Sequence, residues 1–321
     1  MNRHRTALSV LLSVGALVAG ALTAATPSIA ADASTSFRQQ HTQGFWTAER
    51  MRGATPLDVT AVPGAGRIST AASAASAAPT AIAPTAAATA ASPTAFPQAG
   101  GAWTGGGAVV KTSGRVFFTM GSRTASCSGN SITSANGSTV MTAGHCVKYQ
   151  GAWHTNWVFV PAYSNGSAPY GQWSATKTFA TDQWAASEDM NMDVGLAVVA
   201  PLNGRTLSQA VGAQGVLFNG GYNKRMYFFG FPAAAPYDGT KLVYCSGNSG
   251  KDFLLTRDHS LGCNMTGGSS GGPWFQDFNE TTGLGTQVSV NSFGYNFLPN
   301  RMYGPYLGNE AKAAYDKAQT S

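Results

Sequence analysis

From Gly101 to about residue 308, apolar residues come only in short bursts and keep no helical period. "GRVFFTM", "STVMTAG", "NWVFVPAY", "DVGLAVVA", "RMYFFGF", "KLVYCSG" and "TQVSVNSFG" are each bounded by turn-forming residues. Runs of this length read as strands, and many of them without crossover helices argue for a sandwich or for barrels. The exception is the tail "NEAKAAYDKAQ" (309–319), where Ala311, Ala314 and Tyr315 fall on one helical face. A charged content of 11% and 39 glycines in 321 residues suit a loop-rich β protein. Residues 101–321 hold enough strand for two packed barrels.

The N-terminal third is different. Arg3, His4 and Arg5 precede an apolar run from Ala7 to Ala25, and small residues follow at Ser28-Ile29-Ala30. This reads as an export signal cleaved near Ala30 or Ala31, its alanine and glycine content being too weakly hydrophobic for an anchor. No later segment is long and apolar enough to span a membrane. Residues 41–59 have ordinary composition, whereas "STAASAASAAPTAIAPTAAATAASPTAFP" (69–97) is nearly all Ala, Ser, Thr and Pro. Such a stretch cannot bury enough apolar surface to offset its ordering entropy, so it is expected to be a disordered tether. The chain thus divides into a signal (1–30), a propeptide or low-complexity linker (31–100) and a folded domain (101–321) with an internal boundary near residue 205.

The formal charge is +6, but it is not gathered into a stripe. Residues 1–99 carry six basic side chains against Asp32, Glu49 and Asp58, so half of the excess lies on each side of residue 100. Lys224-Arg225 is the tightest basic pair beyond residue 100, and a nucleic-acid partner is not expected. Cys127, Cys146, Cys245 and Cys263 are an even set in an exported chain, which suggests two disulfides. Three pairings are open on the sequence alone.

Three stretches carry side chains suited to chemistry. "VMTAGHCV" (140–147) places His145 among small residues after a β-rich run, where its imidazole has room for a partner. "NMDVGLAVV" (191–199) holds Asp193 between Met192 and Val194, drawing the carboxylate toward an apolar interior where it needs a donor. Asp182 and Asp189 are rivals, but the polar stretch "ATDQWAASEDM" makes both look solvated. "MTGGSSGGPW" (265–274) sets two serines among four glycines, a turn shaped by its backbone.

Together "TAGHC", "DVGL" and "GGSSGGP", in the order His, Asp, Ser, resemble the chymotrypsin-like (trypsin-like) serine peptidases, especially their secreted bacterial members, over residues 101–321. The resemblance implies an all-β fold of two antiparallel six-stranded barrels with a short C-terminal helix. It implies Ser270 as nucleophile, His145 as general base and Asp193 as the acid that orients it, with Gly268 and Ser270 N–H groups forming the oxyanion hole. It pairs Cys127 with Cys146 and leaves Cys245 with Cys263. In "NSFGYN" (291–296), Ser292 would support Asp193, while Phe293 and Gly294 would line the primary pocket and pair with substrate backbone. At the pocket floor stands Asn264, where trypsins carry an Asp, so cleavage after Lys or Arg is not expected. Asn291 stands where glutamyl endopeptidases use a histidine, leaving a glutamyl preference unsupported. Ser269 replaces the acid that pairs with a new amino terminus in animal enzymes, so that activation switch should not operate.

These readings converge on a secreted, monomeric serine endopeptidase acting on protein or peptide substrates, with no cofactor, no metal, no nucleic acid and no membrane association once the signal is removed. The alternatives are an esterase with the same triad, a non-catalytic binding module on a peptidase fold, and an adhesin held by residues 69–97.

Overall fold

The structure, a computed structural model, describes residues 34–42, 44–61, 68–69, 77–88 and 94–321. The expected export signal lies outside the described residues. Among them, no helix is long and apolar enough to cross a membrane.

Six strands close into an antiparallel barrel. Around the ring they are Ser113–Met120, Arg123–Ile132, Thr139–Thr142, Gly195–Val199, Trp173–Ala180 and Thr155–Pro161, which returns to the first. Closure leaves no unpaired edge, the condition under which short strands can stand without covering helices. Alternation sorts the apolar run of the first strand between two cores. Val116 and Phe118 join one buried cluster with Val140, Phe159 and Leu196. Phe117 points the other way, into a cluster with Trp46, Met51 and Tyr163. The second face is apolar because residues 45–54, including the short helix Ala48–Arg52, cover it.

The second half builds its walls from two sheets. One has seven strands in the order Thr80–Ile82, Gly215–Phe218, Leu284–Val290, Pro273–Asn279, Arg225–Gly230, Val243–Asn248 and Gln98–Ala102. The other orders Gly250–Lys251, His259–Gly262, Leu298–Gly304, Phe293–Tyr295 and Thr60–Ala61. Phe228 and Trp274 stack at 4.6 Å inside this half. The disulfide Cys245–Cys263 ties the two sheets together, and Cys127–Cys146 ties the first barrel to the turn that carries His145. The helix Asn309–Gln319 buries Ala311, Ala314, Tyr315 and Ala318, the face its spacing predicts.

The Ala/Ser/Thr/Pro stretch is not a free tether where it is described. Thr80–Ile82 adds an antiparallel strand to Gly215–Phe218, and Gln98–Ala102, directly after the stretch, does the same for Val243–Asn248. Small side chains build no core of their own, but their backbone can complete the open edges of another sheet. Ala86 fits closely against Gly212, where an added Cβ would come within 2.6 Å of the Ala86 Cβ. Proline stops a helix but is accepted at an edge strand.

Burial lowers His154 and His259 from the ordinary 6.5 to about 4. The unfolded chain binds their protons near pH 6.5 and the folded chain only near pH 4, so stability falls as the pH drops through that window. The loss amounts to about 3 kcal/mol per histidine at full shift. Burial holds the Asp258 carboxyl well above its usual range, an effect of opposite sign. A comparison with His259→Phe isolates one histidine. Its melting temperature should fall less steeply between pH 6.5 and 4 than that of the parent chain, and equal slopes would contradict the assignment.

Candidate active site

His145 lies in the single 3-10 turn Gly144–Cys146, directly after the strand Thr139–Thr142. Trp184 packs against this turn, and its indole Nε1–H donates to the Lys148 carbonyl at 2.8 Å. Asp193 ends the 3-10 turn Met190–Met192 and leads into the strand Gly195–Val199. Its carboxylate is fully buried. One oxygen accepts the His145 backbone N–H at 2.8 Å, and the other accepts the His145 Nδ1 proton at 2.7 Å. The Ser292 hydroxyl donates to that second oxygen as well. Three donors around one buried anion hold the proton on Nδ1 and leave the Nε2 lone pair available.

The rival carboxylates have other partners. Asp182 is exposed and pairs with Lys317 at 2.9 Å. Asp189, expected to be solvated, is instead buried, because its Oδ1 accepts N–H groups from Ser69 and Asn191. It caps a local turn and does not touch the imidazole.

Ser270 is buried in the turn between Gly268 and Gly271, and its carbonyl accepts the Ser128 N–H at 2.7 Å. The Cys146 sulfur lies 3.7 Å from the same carbonyl, so the serine turn packs beside the residue that follows His145. His145 Nε2 is buried without a hydrogen bond, so no direct bond joins it to Ser270 Oγ in this structure. Such catalytic contacts are often long before a substrate is bound. Gly268 has φ +92°, and a side chain there would also crowd Ala233 and the Phe231 carbonyl at 3.1 Å. Its N–H donates to the carbonyl oxygen of Leu57 at 2.9 Å.

Two residues that the sequence did not single out for this purpose hold the turn. Ser128 Oγ donates to the Gly268 carbonyl at 2.9 Å and accepts the Phe231 N–H at 2.8 Å, fixing the peptide next to the Gly268 N–H. Asn291 accepts the Gly271 N–H at 2.7 Å through its carbonyl, while its side-chain amide donates to Ser269 Oγ at 2.6 Å. Ser269 Oγ in turn donates to the Thr266 carbonyl at 2.8 Å. The loop is therefore ordered by neutral groups, with no carboxylate for a new amino terminus to pair with. A serine following a cysteine and an asparagine directly after the strand Leu284–Val290 carry no spacing signal that would have marked these roles.

Beside the turn lies a cleft of about 240 Å³ lined by Asn264, Thr266, Gly294, Tyr295 and Arg301 and, from the N-terminal segment, by Asp58 and Thr60. Asn264 is exposed, and its side-chain oxygen accepts the Tyr237 hydroxyl at 2.6 Å. Phe293, expected in the pocket wall, is not part of the lining: it is buried and stacks on Tyr303 at 5.0 Å. Alternation along the strand turns its side chain to the core and leaves Gly294 at the cleft. Cys127, His145 and Cys146 form the one metal-type grouping among the described residues. Both sulfurs are bonded to each other and Nδ1 is committed to Asp193, so this grouping lacks the thiolates a metal would need.

No family model matches the chain. A stretch of 61 residues is 39% identical to the "Extracellular metalloprotease" of Bacillus subtilis (strain 168), covering 19% of this chain and 20% of that protein. The chain thus spans a fifth of that curated relative. Protease Anisep from Arthrobacter nicotinovorans is 45% identical, with 69% of this chain covering all of the solved chain at a TM-score of 0.65. The thermostable serine protease AL20 from an extremophilic microorganism is 40% identical, with 67% of this chain covering 99% of that one at 0.63. A Glu endopeptidase solved in complex with MPD shares the fold at a TM-score of 0.56 and 14% identity.

Ser269→Ala would leave the Asn291 amide and the Thr266 carbonyl without this partner inside a buried loop, at a cost of about 1–3 kcal/mol. A lowered melting temperature is expected, with a smaller loss of turnover than the roughly 10²–10³ of a missing oxyanion donor. An unchanged melting temperature would contradict the role given to Ser269.

Proposed function

The chain belongs to the chymotrypsin-like serine peptidases, and from that premise we propose a secreted endopeptidase in which Ser270, His145 and Asp193 cleave peptide bonds through an acyl-enzyme. Ser270 Oγ attacks the carbonyl carbon as His145 Nε2 takes its proton. The same nitrogen then returns the proton to the leaving amine, and water repeats the sequence on the ester. Asp193 keeps the imidazole in the tautomer that exposes Nε2 and stabilises it when charged. Ser292 is a positioning residue, acting on Asp193. The Gly268 and Ser270 N–H groups receive the oxyanion.

One observation carries the reading: the Gly268 N–H already holds a peptide carbonyl oxygen, that of Leu57, at 2.9 Å, in the same site as an imidazole whose Nε2 is unpartnered. The two disulfides and the name of the curated relative support an extracellular location. The solved relatives are covered almost completely by about two thirds of this chain, which supports 101–321 as the peptidase domain and 31–100 as an added propeptide. Among the residues of the domain lining the cleft there is no carboxylate, so a Lys or Arg side chain before the scissile bond would enter without a charge partner.

Turnover of peptide substrates tests the assignment. Ser270→Ala should fall to near background, and Asp193→Asn should fold yet lose about 10⁴ in kcat through the wrong imidazole tautomer. Asp189→Asn should keep most of its activity. An active Ser270→Ala variant, or the severe loss appearing at Asp189, would overturn the roles.

A further inference from the structure

The carbonyl in the oxyanion site belongs to an N-terminal segment that crosses the cleft. Thr55–Pro56 runs parallel to Ala125–Ser126, and the Leu57 N–H continues that pairing by donating to the Ser126 carbonyl at 2.9 Å. Leu57 then gives its own carbonyl to Gly268. Asp58 packs so closely on Gly267 that a Cβ added there would come within 2.9 Å of its Cβ. Thr60–Ala61 pairs in parallel with Gly294–Tyr295. Leu57 and Val59 are buried in the same core as Phe293, Tyr295 and Tyr303, so the segment is anchored by side chains as well as backbone. Further along, the Ser69 N–H donates to Asp189 and the Ser69 carbonyl accepts from Asn191.

Chain direction decides what this contact does. A cleavable peptide must lay its acyl portion along Gly294 and reach the oxyanion donors next, with the leaving nitrogen beyond them. The segment reads the other way, meeting Gly268 at Leu57 and Gly294 only at Thr60. Its Asp58 nitrogen therefore lies on the side where the acyl portion belongs, away from where the leaving amine must collect its proton. We infer that residues 55–61 are a built-in ligand of the cleft, an extended peptide bound in reverse that blocks the site without being cut there. This rests on the nucleophile and oxyanion roles proposed above. It also assigns to the cleft a second class of ligand, peptides that follow the substrate strand in parallel.

The test is the rate at which a fluorophosphonate probe labels the full chain, read on the intact band so that processing does not interfere. Leu57→Glu/Val59→Glu replaces two buried anchors with charges and should release the segment, and Leu57→Ala/Val59→Ala is a milder second variant. Both should label at least about tenfold faster than the parent, as expected when a blocked form dominates by that ratio. Near-UV circular dichroism confirms that the variants are folded. A synthetic peptide of residues 54–61, "ATPLDVTA", should slow labelling of either variant again and be recovered intact. Equal rates for the parent and both folded variants, or cleavage of the peptide between Leu57 and Asp58, would overturn the inference while leaving the nucleophile in place. Absence of labelling in every folded form would overturn the nucleophile and the inference with it.

Discussion

The carboxylate of Asp193 is wholly buried, and much of the surrounding structure is the set of donors that a buried anion demands. An unpaired carboxylate in an apolar interior is costly enough that it would be neutralised or expelled. Here it receives two N–H groups from His145, on a turn of the first barrel, and one hydroxyl from Ser292, in the second half. One ion therefore links the two halves and fixes the imidazole between them. The same contacts that satisfy the charge leave Nε2 as the free end of the histidine, so stability and reactivity rest on a single arrangement.

The serine turn is organised on a different principle. In the proposed mechanism its amides point at a reacting oxygen, and its residues cannot use side chains to get there because most of them are glycine. The neighbouring strands supply the constraint. Ser128 reaches in from the first barrel, and Asn291 from the second half clamps the turn through both its backbone and its side chain. Ser269 completes this neutral network without a charge. A loop built this way needs no buried ammonium to order it. Access to the site can then be controlled by a segment that covers it, as residues 55–61 do, and the disulfide beside His145 keeps that turn in register with Ser128.

The strands, the terminal helix and the His, Asp and Ser stretches were legible because each leaves a local mark. Strands alternate, the helix spaces Ala311, Ala314 and Tyr315, and a glycine-rich turn announces backbone geometry. Ser128 and Asn291 left no such mark, since an isolated polar residue in or just after a strand looks the same whether it faces solvent or a loop from a distant part of the chain. Asp189 misled for the converse reason: its neighbours in sequence are polar, but Ser69 and Asn191 cover it. The Ala/Pro stretch misled because composition reports how much core a segment can build alone. It says nothing of open sheet edges such as that of Gly215–Phe218, which residues 80–82 complete.

The most direct test of this account is to find where an activated-serine reagent ends up. The chain with residues 55–61 released is treated with a fluorophosphonate, digested, and the modified peptide sequenced by mass spectrometry. The proposed roles predict a single adduct on Ser270, with His145 as its base, whereas Ser269 Oγ is committed to Thr266 and Asn291. An adduct on Ser269, or on a serine outside this turn, would contradict it.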